Sequence, residues 1–567
     1  MSALVEGAGF ACGQRVSDDA GCRGTVRYCG PVATSKSASE VYVGVEWDDA
    51  ARGKGDGSVV DKRGLETRYF TTAFPTAASF VKPAKLDVGS SFAAALRAKY
   101  VAMDAPLEAP GNMLTHGLAN TKRGATKRIE LVGELKTRAR QQLDLCHVST
   151  VMLRCAGIAS VGPVQQPDLH LERLVHVDVQ CNLLGDWDVV TRLAEALPAL
   201  ESFDVSGNRL GPFGDRKTMG GFGAHLHKLV ANDVGLRDWA DVSALVRALQ
   251  PRLRMLHVAA NELRGAAAVD CPGHALEFLD VAKTGLDDAS VVTLLQSCPG
   301  LVELHASENV GLRAATFAAA PGASETPLVF GTVEALGLSG CGLEDWSLMD
   351  SLGAAFPRLQ RMRFADNPVT KQLGASQSRA FVLARVASLR HLNGADVSAK
   401  ERAEAEKRYV RFALADAHQA AAADAAASEG DGEAPTADAA LRRRHPHASR
   451  LLVKYDISAS AAAGSAQADG GSKALGASLV TITLRCVASS NADAPVATKK
   501  VPASTKVALL KRVCAKLFDL LPEDQILYYR LDAFDAPNYL DDDSATLASF
   551  GVADGIEIHV SEKLCPE

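Results

Sequence analysis

The sequence predicts a multidomain chain: a small all-β barrel, an α/β solenoid of repeats and an α+β roll. Three observations carry this. Residues 10–85 alternate short β-rich runs with Gly and Pro turn signals, a leucine-based template recurs between 148 and 369, and residues 477–562 pass from two β runs through an amphipathic helix to returning strands. At roughly 100 to 200 residues per domain, the 567 residues allow about three to five units. Charged content of 23% and a formal charge of -6 lie near globular averages and argue against a nucleic-acid partner. The first residues lack the basic start and apolar run of a signal peptide, and no run approaches the roughly 20 apolar residues that cross a bilayer. The expectation is a soluble cytoplasmic protein without a membrane partner. The 12 cysteines, from Cys12 to Cys565, include no CxxC pair, so no metal site, disulfide scaffold or cofactor is signalled.

In the first domain the β-rich runs are Gly24 to Tyr28, Val41 to Val45, Tyr69-Phe70 and Phe80 to Pro83, with a Ser-rich loop over 31–40. Set among them is Gly53-Lys54-Gly55-Asp56-Gly57. Glycine reaches backbone angles closed to other residues, so this loop can turn tightly and bring Lys54 and its neighbouring amides against an acidic ligand. It has neither the spacing nor the following helix of a phosphate-binding P-loop. The order of strand, Trp47-Asp48, glycine loop and Tyr69-Phe70 resembles a CAP-Gly domain, a module that binds the acidic, aromatic-ended tails of tubulin and end-binding proteins. The resemblance implies Trp47, Gly53, Lys54, Gly55, Asp56, Gly57 and Phe70 as a tubulin-tail surface. Gly55 stands where that family usually has Asn, which removes an amide able to bond a terminal carboxylate. Glu66, Thr72 and Ala78 also depart from the family's usual Gly or Cys.

Residues 86–140 read as a short helix, 90–100, and a linker with Pro106, Pro110 and Gly111. From 141 to 410 the template L-x-x-L-x-L-x-x-N-x-L starts at Val148, Leu174, Leu200, Leu226, Leu253, Leu276, Leu301, Val333 and Leu359, roughly 23 to 32 residues apart, the leucine-rich-repeat range. Asn182, Asn208, Asn261, Asn309 and Asn367 hold its Asn position, where the side chain is expected to bond backbone in a buried turn. Ala156, Val234, Thr284 and Cys341 replace it elsewhere. Each repeat pairs a short parallel strand with a helical return, such as 187–197, 290–296 or 346–352, and stacking supplies the core that one unit lacks. Residues 379–409 suit a C-terminal cap. The Ala/Asp/Glu-rich composition of 411–476, with Arg442-Arg443-Arg444, predicts a flexible linker. In the last domain, Thr546-Leu547, Phe550-Gly551-Val552 and the final strand resemble a ubiquitin-like domain; the end at Glu567 lacks the diglycine used for conjugation.

No catalytic constellation emerges, so the expectation is a protein that is not an enzyme. His225 and His227, expected in a repeat strand, read as surface residues, and Met219-Gly220-Gly221-Phe222-Gly223 as a loop between repeats. The order CAP-Gly, leucine-rich repeats, ubiquitin-like resembles the tubulin-specific chaperones of the cofactor E family over nearly the whole chain. That resemblance implies a chaperone that binds α-tubulin and, with cofactors of the C and D types, assembles or dismantles the αβ-tubulin heterodimer at the cytoskeleton. The last domain is left with the proteasome, a cofactor or tubulin as its partner. The alternative class is a microtubule-associated or proteasome-linked adaptor scaffold.

Overall fold

Period-two alternation shapes the N-terminal domain: Val43, Val45 and Trp47 leave one face of their strand and enter the core together. The computed structural model describes residues 9–101, 148–163, 169–214, 225–269, 276–313, 328–427, 436–457, 479–487, 496–529 and 538–562, apart from scattered positions inside them. They fall into two units, Met1–Asp280 and Val281–Glu567.

The first unit opens with β1 (Arg15–Asp18), β2 (Arg23–Gly30), β3 (Tyr42–Trp47), β4 (Ser58–Val60), β5 (Glu66–Arg68), β6 (Ala78–Val81) and β7 (Leu86–Asp87). The antiparallel sheet runs β6-β3-β2-β1-β7, and β4 and β5 form a separate hairpin. Tyr69 and Phe70, expected as strand, instead follow β5 as coil, because their amides both bond the Gly57 carbonyl, at 2.9 and 3.4 Å. Next come β8 (Ser90–Ser91) and α1 (Phe92–Leu96), which the Ser91 hydroxyl caps by accepting from the Ala94 amide.

The repeats follow. After β9 (Thr150–Met152) and β10 (Ile158–Ser160), the strands β11 (His176–Asp178), β12 (Ser202–Asp204), β13 (Lys228–Val230), β14 (Met255–His257) and β15 (Phe278–Asp280) extend from β9 as an in-register parallel ladder. The central residue of each ladder strand is buried: Val151, Val177, Phe203, Leu229, Leu256 and Leu279. Helices α2 (Trp187–Glu195) and α3 (Trp239–Leu249) return the chain. His225 and His227 precede β13 instead of lying in it.

Where the repeat carries Asn, its side chain fixes the turn after the strand. The Asn208 amide donates to the Val179 and Val205 carbonyls at 3.0 and 2.8 Å, and its carbonyl accepts from the Leu184 amide at 3.3 Å. Asn261 accepts from Val234, Gly235 and Leu236, each at 3.1 Å, and donates to Ala231 and Val258. Each side chain thereby ties its repeat to the one before. The residue preceding it is left-handed, as at Cys181 (φ 57°) and Ala260 (φ 56°), a conformation that costs a non-glycine residue about 1 to 2 kcal/mol.

The barrel is joined to these repeats. β8 pairs in parallel with β10, Arg23 Nη1 donates to the Gly207 carbonyl at 2.7 Å, and Arg209 lies 2.9 Å from Asp233 and 3.8 Å from Asp48. Asp48 also receives buried Arg15, whose Nη1 bonds it at 2.8 Å.

In the second unit β16 (Glu303–His305), β17 (Ala335–Gly337), β18 (Arg361–Arg363) and β19 (His391–Leu392) are parallel, with returns α4 (Asp288–Ser297) and α5 (Ser347–Ala355). Asn309 accepts from Thr284, Gly285 and Leu286 at 2.9, 2.8 and 3.0 Å. Where Asn is replaced, Thr284 Oγ1 donates to the Val281 carbonyl at 2.7 Å and Cys341 Sγ to the Ala306 carbonyl at 3.5 Å. Then come α6 (Pro368–Leu373), α7 (Ala375–Arg385) and β20 (Ala395–Asp396), which folds back on β19.

The flexible linker expected from residue 411 is overturned over most of its first half. It is occupied by α8 (Ala399–Ala427), α9 (Ala437–Arg444) and α10 (Ala448–Tyr455). Alanine is the best helix former, and Ala413, Ala417, Ala440 and Ala448 let these helices approach closely around Tyr409, Leu441 and Leu451. Arg442, Arg443 and Arg444 pair with Asp438, Asp424 and Asp416 at 2.9, 3.3 and 2.6 Å. Beneath them, Arg385 is 3% exposed and faces the Trp346, Phe381 and Tyr409 rings at 5.5, 5.8 and 5.2 Å. Its Nη2 lies 3.4 Å from His445 Nδ1, and His445 Nε2 lies 3.1 Å from Asp416.

The last domain comprises β21 (Leu479–Cys486), β22 (Ala497–Pro502), α11 (Val507–Phe518), β23 (Gln525–Tyr529), β24 (Asn538–Tyr539) and β25 (Glu557–Glu562). Its sheet runs β22-β21-β25-β23-β24, and Ile482, Leu484, Leu510, Cys514, Leu527 and Ile558 fill its core. The expected linker beyond 101, the Met219 to Gly223 run, residues 461–476 and residues 563–567 lie outside the described residues. No helix among the described residues is long and apolar enough to cross a membrane.

Two outcomes follow from the buried polar groups. Asn261→Ala leaves backbone donors and acceptors of two repeats unpaired and should cost about 2 to 4 kcal/mol, read as a lower midpoint in urea unfolding. Burial, reinforced by Arg385 and opposed by Asp416, lowers the His445 pKa, and burial lowers that of His447. The unfolded chain then binds protons that the folded cap refuses, so stability is full above the ordinary histidine value of about 6.5 and falls as pH drops through it. Burial raises the Asp350 pKa, which has the opposite sign but acts only nearer the carboxylate range. Hydrogen exchange corrected for intrinsic pH effects should show α9 and α10 less protected at about pH 5.5 than at about pH 7.5, with the repeats unchanged.

Candidate partner-binding groove

The glycine loop lies against the start of β6. Lys54 and Gly55 donate their amides to the Ala78 carbonyl at 2.7 and 3.1 Å, and the Ala78 amide donates to the Gly55 carbonyl at 2.7 Å. Gly53 sits where the loop crosses the chain: a Cβ there would stand 1.9 Å from the Thr76 carbonyl oxygen. Gly57 has φ 91°, and a Cβ on it would stand 2.2 Å from the Phe70 carbonyl oxygen. A Cβ on Gly55 would meet nothing within 4 Å, and its backbone is not left-handed. Gly53 and Gly57 are therefore required by the geometry, whereas Gly55 is not.

Asp56 braces the loop. Its carboxylate accepts from the Ser58 hydroxyl at 2.6 Å and pairs with Arg68 at 2.6 Å. Hydrogen bonds from Ser58 and then Arg68 hold its pKa well below the usual carboxylate range. Phe70 is half-buried, stacked edge-on to Phe80 at 5.5 Å and lying over Gly44, where a Cβ would meet its ring at 2.4 Å. Lys54 is exposed and has no ion pair among the described residues.

Trp47 corrects the sequence reading. It is 2% exposed, packed with Val16, Val26, Val43 and Val45, and covered by the Arg52 guanidinium 4.8 Å from its ring. It therefore offers no surface to a tail. Its place two residues from Val45 and four from Val43 carries the signal, since period two turns all three inward.

Next to Lys54 the surface forms a groove of about 440 Å³. Its lining adds residues that the sequence reading left out: Tyr42, Arg52, Phe80, Lys82 and Lys85. Arg52 is paired with Asp18 at 2.6 Å and Lys82 with Glu40 at 3.4 Å, which leaves Lys54 and Lys85 as the cations without an ion pair among the described residues. The buried Ser79 hydroxyl, also in the lining, has no hydrogen-bond partner among them. Unpaired ammonium groups and the Tyr42 and Phe80 rings can together hold an acidic peptide with an apolar or aromatic residue.

The chain thus joins a glycine-loop β domain with a cationic groove, a leucine-rich-repeat solenoid and an α+β roll. Family models agree at both ends: a CAP-Gly domain matches residues 12–86 and a ubiquitin-like domain residues 481–564. Over most of its length the chain has homologues named tubulin-folding cofactor E or tubulin-specific chaperone E. It is 28% identical to tubulin-folding cofactor E of Arabidopsis thaliana over 570 residues, 99% of this chain and 100% of that protein. It is 26% identical to tubulin-specific chaperone E of Mus musculus over 505 residues, 89% and 90% of the two chains. A solved ubiquitin-like domain of mouse tubulin-specific chaperone e is 20% identical and covers 16% of this chain and 94% of its own, with a TM-score of 0.15.

Gly53 and Gly55 should respond differently to substitution. Gly53→Ala forces backbone apart and should destabilise the first domain by about 2 to 4 kcal/mol, whereas Gly55→Asn should unfold within about 0.5 kcal/mol of the parent. Denaturant titration with domain-resolved hydrogen exchange measures both.

Proposed function

We propose that this protein is a non-catalytic tubulin-folding chaperone of the cytoplasm, which binds α-tubulin and acts with cofactors of the C and D types to assemble or dismantle the αβ-tubulin heterodimer. The observation that carries the reading is the similarity, across 99% of the chain, to a protein named as a tubulin-folding cofactor. The groove supplies a mechanism. An acidic tubulin tail lies along β6, with carboxylates at Lys54 and Lys85 and its aromatic end against Tyr42 and Phe80, while the loop Gly53 to Gly57, braced by Asp56 and Phe70, sets the position of Lys54. The repeats hold the globular body.

Two contacts on one body reinforce each other. The strand pair β8–β10 and the bonds from Arg23 and Arg209 hold the barrel on the first repeats, so once one contact forms, the other meets the client without a flexible tether to order. Each contact alone can be weak, which favours release. Gly55, in place of an amide side chain, works in the same direction.

The test is capture of soluble α-tubulin by the full-length chain. Lys54→Ala with Lys85→Ala should weaken it by roughly fivefold to tenfold, equivalent to about 1 to 1.4 kcal/mol, and removal of the acidic tail from tubulin should have the same effect. Unchanged capture in both experiments would remove the tail from the mechanism. Stronger cosedimentation with polymerised microtubules than binding to soluble tubulin would favour the adaptor scaffold instead.

A further inference from the structure

A second cationic surface lies in the last domain. Between Val496 and Phe518 the sequence carries Lys499, Lys500, Lys506, Lys511, Arg512 and Lys516 and no Asp or Glu. Lys511 is paired with Asp543 at 2.7 Å; the others are exposed and have no ion pair among the described residues.

These charges frame an open strand edge. Among the described residues β22 ends its sheet and pairs with β21 alone, so half of its backbone N–H and C=O groups face away from the ladder. Lys499 stands opposite core-facing Ile482 and leaves the sheet on the helix side, whereas Lys500, opposite Thr481, leaves on the other. On the helix side, Lys506 just before α11 and then Leu509, Arg512 and Lys516 follow at intervals of three or four residues, which places them in one stripe. Leu509 is 52% exposed within that stripe.

Lysines on an edge ordinarily keep strands from pairing. Here the same sign continues along a helix, where no edge needs protecting. A single-stranded nucleic acid would want exposed aromatic rings to stack on, and the one aromatic side chain of β22 and α11, Phe518, is buried. We propose that β22 and the outer stripe of α11 form a docking site for an acidic, extended polypeptide segment, which adds to β22 as a strand and sets its carboxylates against Lys499, Lys500, Lys506 and Arg512. An apolar side chain of the segment rests on Leu509.

The experiment uses the full-length chain and a labelled probe peptide of alternating Val and Ile followed by four glutamates, amidated at its C-terminus so that no terminal carboxylate contributes. In the Lys54→Ala, Lys85→Ala background, which removes the free cations of the first domain's groove, anisotropy should report binding that Lys499→Glu with Lys500→Glu weakens tenfold or more and that Arg512→Glu weakens independently. N-methylation of alternate peptide amides should abolish it. The proposal is overturned if the reversals at 499 and 500 have no effect, if the N-methylated peptide binds as well as the parent, or if phosphatidylserine vesicles or an oligo-dT strand bind more tightly than the peptide with the same lysine dependence. Because Lys54 and Lys85 are already replaced in this experiment, failure here leaves the tubulin-tail reading standing, and failure of that reading leaves this one standing.

Discussion

A buried carboxamide sets the geometry on which the repeats depend. Asn208 and Asn261 each bond backbone groups of their own repeat and of the one before, so the strand-to-helix turn cannot be placed without its neighbour. A hydrogen bond exchanged for water contributes little net stability, but a buried backbone group left unmade costs much more. The Asn column therefore specifies register more than it adds energy. It also holds Cys181 and Ala260 in left-handed conformations that an isolated turn would avoid.

The barrel inherits this order through polar contacts at its attachment. Asp48 is the hinge of the arrangement, since it receives Arg15 from within the barrel and lies near Arg209 from the repeats. An ion pair as exposed as Arg209 with Asp233 contributes little alone. Joined to the β8–β10 strand pair and the buried Arg15, it becomes part of a continuous connection from the glycine loop's own domain to the first repeats.

Much of this was legible in the sequence, for identifiable reasons. The repeat was readable because Leu, Val and Asn recur at fixed offsets, and the roll because its strand and helix runs are long. Trp47 lies where a family likeness implies a surface residue, whereas the alternation of its own strand turns it into the core. The helices over 411–427, 437–444 and 448–455 are not legible in composition, because Ala with Asp and Glu describes a solvated tether and a packed helix equally well; what separates them is Ala413 and Ala417, one turn apart, sharing a core with Ala440, a contact between segments. Lys82 and Lys85 could not be joined to Lys54 from sequence, because the groove forms only when β6 returns beside a loop many residues earlier.

The pair β8–β10 bears on how the protein can be divided. A cut after residue 85, where composition places the end of the first domain, would separate Ser90 and Ser91 from the barrel and leave Arg23 and Asp48 without their partners in the repeats. The same cut would remove β7, the edge strand paired with β1, so the barrel would lose part of its own sheet together with its mounting. Any force applied to the barrel would pass through a short strand pair and a few guanidinium groups into the first repeats, instead of dissipating in slack chain.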